Sequence, residues 1–222
     1  RGGTLLIPAF AVGRTQDILY LLTKLTAEKK IKKPRVVIDS PMATRVTEVY
    51  RHYSKWLKTA FNPTVLEALE NSDFEYTSDA DSSMLLCMDT SPKIVIAGSG
   101  MLQGGRILHH LGAKLADEKN GVLFVGYQGD GTKGRVLKNG ISQIRIHHKP
   151  IDVNAEIFSI DSLSAHADSD ELMRWIKSCP VRPRQIFLNH GEMSALGALQ
   201  YRIENELGWH CMVPAEGAYL KL

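Results

Sequence analysis

The sequence predicts an α/β fold in which a mostly parallel sheet is flanked by helices. Short apolar runs, such as TLLI at residues 4–7 and KIVIA at residues 93–97, alternate with amphipathic segments of helical period. Strands that are buried on both faces read as continuous apolar runs, and a helical crossover must precede the next parallel strand. With 222 residues and an apolar fraction of 44%, the chain is large enough to bury a core.

The first part of the chain contains most of this alternation. Strands are predicted at residues 4–7, 35–38, 93–97 and 122–125. Helices are predicted from residue 15 to about 30 and at residues 42–52, 79–88 and 106–116. The first helix carries Ile18, Leu22 and Leu25 on one face and ends in a lysine-rich turn, which suits a helix C-terminus. Residues 58–75, which include Asn62-Pro63, are predicted to be less regular.

After Gly140 the pattern changes. Strands are predicted at residues 143–147, 155–160, 185–188 and 219–222, and helices at residues 169–177 and 194–207. A domain boundary is therefore expected near residues 134–146, which divides the chain into residues 1–140 and 141–222.

Composition restricts the class of protein only broadly. No apolar run approaches membrane-spanning length, so no membrane partner is expected. The formal charge of +3 is compatible with a polyanionic partner without requiring one. Cys87, Cys179 and Cys211 lack the C-x-x-C spacing of a zinc or redox site. They indicate reduced thiols and a cytoplasmic location.

Two histidine turns carry the chemistry that the sequence suggests. Ser164-Ala165-His166-Ala167-Asp168 and Leu188-Asn189-His190-Gly191-Glu192 each follow a strand-like apolar run. Imidazole at such a position can bind a metal or transfer a proton near neutral pH. One such histidine alone would more often be an ordinary loop or core residue. Two turns in one α/β segment, both flanked by acids, favour a functional site.

The order of the glycine-rich and histidine turns resembles the β-CASP branch of the metallo-β-lactamase superfamily, nucleases that cut RNA or DNA with a zinc pair. The segments that carry the resemblance begin with residues 8–16, PAFAVGRTQ, and continue with Asp39-Ser40-Pro41-Met42-Ala43, Gly98-Ser99-Gly100-Met101, Gly104-Gly105-Arg106 and residues 126–132. They cover nearly the whole chain. The resemblance implies a β-CASP domain at residues 1–140 and, at 141–222, the C-terminal part of a metallo-β-lactamase αββα domain.

The resemblance also indicates a missing part. The zinc-binding run His-x-His-x-Asp-His is absent from these residues, and the chain opens at Arg1-Gly2-Gly3. We therefore expect a C-terminal fragment that lacks the N-terminal metallo-β-lactamase region and is inactive alone. The complete enzyme would be a metal-dependent hydrolase with two Zn²⁺ ions and single-stranded RNA as substrate. A sheet edge left uncovered in the fragment would favour a homodimer.

The resemblance assigns roles to the two histidines. His190 corresponds to the last zinc ligand, with Gly191 allowing a tight turn. Family members that act on RNA carry histidine here, whereas the DNA nucleases usually carry an apolar residue. His166 corresponds to the histidine near the scissile phosphate, where it would donate a proton to the departing ribose oxygen or stabilise the phosphate charge.

Phosphate binding is expected at the loops. The resemblance places the RNA backbone against Ser99, Gly100, Met101, Ser164, Arg14 and Arg106. The glycines could instead only satisfy positive φ angles, and Arg14 could pair with Asp17. Asp168 is expected to cap the following helix, and Asp39 to form a turn and cap a helix. The pairs His109-His110 and His147-His148 are assigned to packing and surface, since adjacent residues point in different directions.

Two alternatives remain open at this point. A relative without zinc ligands would act as an RNA-binding or scaffold subunit, and a DNA-repair nuclease would share the same fold. The histidine at position 190 disfavours the second. The residues do not distinguish an endonuclease from a 5′-exonuclease.

Overall fold

The computed structural model of the chain describes residues 2–57, 70, 73–77 and 79–219. Contacts divide the chain into two compact units, Arg1–Ser164 and Ala165–Leu222. This division, after Ser164, follows from contacts between residues. The predicted boundary at residue 140 instead separates the β-CASP segment from the metallo-β-lactamase segment that the resemblance implies. That boundary stays a prediction.

The first unit is built on a six-stranded sheet whose paired strands all run parallel. In spatial order the strands are β3 (Glu75–Tyr76), β2 (Val36–Asp39), β4 (Lys93–Ala97), β1 (Thr4–Pro8), β5 (Gly121–Val125) and β8 (Glu156–Ile160). An antiparallel hairpin of β6 (Gln143–Ile146) and β7 (Lys149–Asp152) lies outside this sheet. The mostly parallel sheet that the apolar runs predict is confirmed.

Helices connect these strands. They are α1 (Arg14–Ala27), α2 (Pro41–His52), α3 (Ser54–Leu57), α4 (Ala80–Met88), α5 (Ile107–Lys114) and α6 (Lys133–Lys138). Among the helices that the structure describes, none is long and apolar enough to cross a membrane.

The sheet is covered on both faces because alternate strand residues point to opposite sides. One face packs against α5, and its buried residues include Leu6, Val95, Phe124 and Leu111. The other face packs against α1, and its buried residues include Ile7, Ile38, Ile96 and Leu19. Since both faces are buried, the strands have the near-continuous apolar sequences from which they were predicted.

The second unit is smaller. It contains α7 (Ser169–Lys177), β9 (Ile186–Phe187), α8 (Met193–Leu207) and β10 (Cys211–Met212), with β9 and β10 paired in parallel. Asp168 caps α7 in a capping box, since its side chain accepts from the Glu171 N–H at 2.8 Å while Glu171 accepts from the Asp168 N–H. The predicted cap is confirmed.

The differences from prediction are confined to short elements. The sequence pattern did not indicate β3, β7, β10, α3 or α6, because two to six residues carry too little periodicity. The irregular segment around Asn62-Pro63 lies outside the described residues. Of the strand predicted at residues 219–222, Tyr219 is not in a strand, and the other three residues are not described.

Candidate functional site

The carboxyl ends of β1 and β4 form a crevice of the kind in which open α/β sheets bind ligands. The two strands are neighbours, with Ile7 paired to Ile96. The chain leaves β1 for α1 on one face and leaves β4 for α5 on the opposite face. Loops that diverge in this way open a crevice at the carboxyl edge. The candidate site therefore consists of residues 9–13 and 98–106.

The loop after β4 is held in shape by its own hydrogen bonds. The Ser99 hydroxyl oxygen accepts from the N–H groups of Gln103 and Gly104 at 3.0 and 3.3 Å. The Ser99 N–H donates to the Gly104 carbonyl at 3.1 Å. Gly105 has φ +78°, and a Cβ there would lie 2.3 Å from the Gly98 carbonyl oxygen, so only glycine fits. The loop is preorganised.

Three donors of this loop have no acceptor. Within the described part of the chain, nothing accepts a hydrogen bond from the N–H of Gly100 or Met101, or from the Ser99 hydroxyl. The buried Gln128 amide donates to the Gly100 carbonyl at 3.0 Å. Because C=O and N–H point in opposite directions across a trans peptide, the Met101 N–H is directed away from Gln128. Ser99 and Met101 are partly exposed, whereas Gly100 is buried. Backbone N–H and hydroxyl donors without an acceptor suit an anion.

A buried polar cluster lies behind this edge of the sheet, centred on Asp39. Asp39, at the end of β2, has no solvent exposure. Its Oδ1 accepts from the Thr77 hydroxyl and from Arg106 Nη1, the latter at 2.7 Å. Its Oδ2 accepts from the Ser83 hydroxyl and His110 Nε2, both at 2.6 Å. The carboxylate is therefore fully hydrogen-bonded, as a buried charge must be.

These contacts shift the pKa values of Asp39 and Cys87 in opposite directions. Burial alone would raise the pKa of Asp39, but the hydrogen bonds from His110, Ser83, Thr77 and Arg106 hold that pKa well below its ordinary value. Cys87 Sγ lies 3.3 Å from His110 Nδ1. Burial, and then the charge of Asp39, raise the pKa of the Cys87 thiol to about 11. The contacts from Cys87 to His110 and from His110 to Asp39 thus have the same order as in a Cys-His-Asp catalytic triad, but the Cys87 thiol stays protonated at neutral pH.

The sequence-based assignment of Asp39 is wrong. Ser40, not Asp39, caps α2, with its side chain accepting from the Ala43 N–H at 3.3 Å. Asp39 belongs to β2, where its side chain is enclosed by partners far along the chain. His110 was assigned to packing, and it is indeed buried, although as a partner of Asp39. Its neighbour His109 is exposed and stacks on His147 with ring centroids 4.6 Å apart.

The two arginines that were expected at phosphates both have protein partners. Arg14 Nη1 lies 3.2 Å from Asp17 Oδ2, which is the ion pair that the sequence left open. Arg106 contacts Asp39 and also the Thr77 carbonyl at 3.4 Å. The pairing of Arg106 with Asp39 was not predicted from the sequence. The one local feature that pointed to it was an acidic residue at the end of an apolar strand. Phosphate binding by either arginine stays a prediction.

The histidine turns lie on the surface. Ser164 and His166 are exposed, at the end of the first unit and the start of the second. His190 is also exposed and has φ +63°, with its N–H donating to Asn189 Oδ1 at 2.8 Å. The tight turn is thus at His190 rather than Gly191. A Cβ on Gly191 would lie 2.8 Å from a Leu196 methyl, so glycine is needed there for packing.

Comparison with known families agrees with this architecture. The family model of the β-CASP domain matches residues 15–137, more than half of the chain. The chain belongs to the β-CASP family. A second family model, described as a Zn-dependent metallo-hydrolase RNA specificity domain, matches residues 150–214 of this β-CASP chain.

Three relatives illustrate the similarity. The chain is 37% identical to ribonuclease TTHA0252 of Thermus thermophilus over 90% of its own length and 46% of the relative. It is 32% identical to an RNase J-like protein of Methanocaldococcus jannaschii over 100% of its own length and 51% of the relative. It is 29% identical to the transcription termination factor FttA of Methanosarcina mazei over 88% and 32%. The chain therefore spans about half or less of the length of these relatives.

The described residues do not form a zinc site by themselves. Across the described ranges, no group of three or more His, Cys, Asp and Glu side chains is arranged to hold a metal. Catalytic zinc needs three protein ligands and structural zinc needs four. His190 could supply one ligand, and its role as a ligand stays a prediction.

Proposed function

We propose that this β-CASP chain is part of a zinc-dependent ribonuclease that hydrolyses phosphodiester bonds of single-stranded RNA in RNA processing or decay. The observation that carries the proposal is the set of donors without an acceptor on Ser99, Gly100 and Met101 at the carboxyl edge of the sheet. The names of the ribonuclease and RNase J-like relatives, and of the RNA specificity domain, support RNA as the substrate.

A single-stranded substrate is favoured by an aromatic side chain beside these donors. The Phe10 side chain is 54% exposed, and a Cβ on Gly100 would lie 3.2 Å from its ring. The Thr15 hydroxyl fixes the Phe10 loop by donating to the Phe10 carbonyl at 2.8 Å. An unpaired base can stack on such a ring while its phosphate meets the loop donors. A paired base in a duplex presents no free face to the ring.

In this proposal the chain supplies positioning and proton transfer. The loop donors hold a backbone phosphate, with Ser164, Arg14 and Arg106 as further contacts. His166 donates a proton to the departing ribose oxygen or stabilises the phosphate charge. The described residues provide no complete zinc site, so zinc dependence is supported by the family description and the histidine at position 190. We further propose that the chain alone is inactive.

The remaining features of the proposal concern the setting of the enzyme. The partner in the complete protein would be an N-terminal metallo-β-lactamase region, and a homodimer is also proposed. The three cysteines are free, two of them buried, which supports a reducing, cytoplasmic location. The proposed activity covers endonuclease and 5′-exonuclease modes.

Binding of a fluorescent oligo(U) to the chain, followed by anisotropy, tests the RNA part of the proposal. Ser99→Ala should weaken binding by about 10- to 150-fold, because a hydrogen bond to a charged group contributes about 1.5–3 kcal/mol. The control is Ser142→Ala, since Ser142 is exposed in another loop of the same unit. Added salt should weaken binding of the wild-type chain.

Two results would overturn the proposal. One is equal affinity of the two serine variants, with unfolding curves that match the wild type. The other is equal binding of oligo(U), the corresponding DNA strand and an RNA duplex, which would leave no preference for single-stranded RNA.

A further inference from the structure

A groove on the first unit is lined largely by apolar side chains, and it shares Arg106 with the crevice between β1 and β4. It lies between α4, α5 and the β6–β7 hairpin and has a volume of about 940 Å³. Its apolar lining includes Met84, Met88, Ile146 and Ile151. Cavities of roughly 300–1,000 Å³ with apolar linings are typical ligand sites.

Helix α4 is apolar on the side that faces solvent as well as on the side that faces the core. Leu86 and Cys87 are buried, as a helix over a sheet requires. Met84, Leu85 and Met88 are nevertheless 59%, 68% and 69% exposed. A helix that is apolar all round is normally buried all round. The exposed side, which occupies positions i, i+1 and i+4, is therefore suited to a partner.

The polar part of the lining is positively charged. Lys149 is exposed and has no ion pair within the described part of the chain. Lys114 is buried, and its Nζ donates at 2.8 Å to the backbone carbonyl of Asp89, so it adds positive charge without being open to a partner. The charge of Arg106 is offset by Asp39. The described lining contains no Asp or Glu, which gives the groove a net positive charge.

An acidic amphipathic helix fits these features better than RNA does. Thioether and aliphatic side chains adapt to apolar helix faces, and the exposed Lys149 would meet a carboxylate. RNA would be expected to stack on aromatic rings, but the described lining has no Phe, Tyr or Trp, and its two histidines, His109 and His147, already stack on each other.

We propose that the groove between α4, α5 and the β6–β7 hairpin docks a short amphipathic helix of a partner protein. Its apolar residues would follow the i, i+3/i+4, i+7 pattern and contact Met84, Met88 and Ile151. An acidic residue on its flank would pair with the exposed Lys149. The site would give a β-CASP protein a means of joining a larger assembly.

The test uses a synthetic helical peptide with leucines in this pattern and glutamates on both flanks. We expect the chain to bind it with a dissociation constant in the micromolar range and to show shifted NMR methyl signals of Met84 and Met88. The same peptide with lysines in place of glutamates should bind about tenfold more weakly or worse. Met84→Asp and Lys149→Glu should each weaken binding about tenfold. Met193→Asp, at a methionine with 73% exposure in the second unit, is the matched control.

Three outcomes would overturn the proposal. The first is the absence of saturable binding at millimolar peptide. The second is oligo(U) that shifts the same methyl signals and displaces the peptide, which would make the groove a nucleic-acid site. The third is loss of peptide binding in the full-length protein that contains this chain, which would mean that the protein itself covers the groove.

Discussion

Replacement of Asp39 by alanine should destabilise the first unit more than any surface substitution of an acid. The change removes the carboxylate that accepts from Arg106, His110, Ser83 and Thr77. Breaking a buried ion pair from one side costs about 3–5 kcal/mol, because the remaining partner stays desolvated. At about 2–4 °C per kcal/mol for a domain of this size, the melting temperature should fall by about 6–20 °C.

A second ion pair in the same unit provides the control. Lys138 Nζ lies 2.7 Å from Asp161 Oδ1, the same distance as that from Arg106 Nη1 to Asp39 Oδ1. The Asp161 side chain, however, is 70% exposed, whereas that of Asp39 is fully buried. Exposed pairs contribute about 0–1 kcal/mol. Asp161→Ala should therefore lower the melting temperature by less than about 4 °C.

Scanning calorimetry measures both shifts, and hydrogen exchange assigns the loss of protection to β2 and α5. Similar shifts for the two variants would refute the argument that burial, not distance, sets the cost.

The pH dependence gives an independent check. The pKa of Asp39 is lower in the folded state than its unfolded value of about 3.9. Its stabilisation is thus fully present above that value and is lost as pH falls. The difference between wild type and Asp39→Asn in urea unfolding should shrink below about pH 4.

Two further predictions concern reactive side chains. Burial raises the pKa of the Cys87 and Cys211 thiols, so only the exposed Cys179 should react rapidly with a thiol reagent at pH 8. All three thiols should react after denaturation. Fast modification of three thiols in the native chain would contradict this prediction. In the full-length protein, His190→Ala should lower both zinc content and RNA cleavage, whereas His166→Ala should reduce the cleavage rate by a factor of about 10²–10⁴ with zinc retained. Metal analysis together with a cleavage assay distinguishes the two roles. Loss of zinc from the His166→Ala variant would instead make His166 a zinc ligand.

Local sequence was sufficient for much of the fold. The apolar run at Lys93–Ala97 and the helix at Ser169–Lys177 have the predicted bounds, and β1, β2 and β5 differ from prediction by one or two residues. The cap at Asp168 was also predictable, since Asp and Glu three residues apart before an amphipathic segment satisfy the first N–H groups of a helix. These features depend on neighbours in the chain, so the sequence reports them directly.

The glycine loop was predictable in part. The apolar run of β4 predicts that a loop follows it, and the glycines after that run predict that the loop turns tightly. Which of its donors stay available depends on Gln128, a residue of the loop after β5 that fixes the Gly100 carbonyl. No local pattern contains that contact.

The sequence by itself thus determined the α/β alternation, the order of the loops at the sheet edge and the resemblance to the β-CASP family. Tertiary structure alone decided the role of Asp39, whose partners Ser83, Arg106 and His110 lie 44, 67 and 71 residues along the chain. It also decided that α4 keeps an exposed apolar side. The physical reason is the same in both cases. The state of a buried charge or an exposed methionine depends on every group that packs around it, and parallel strands bring those groups together only after long crossovers.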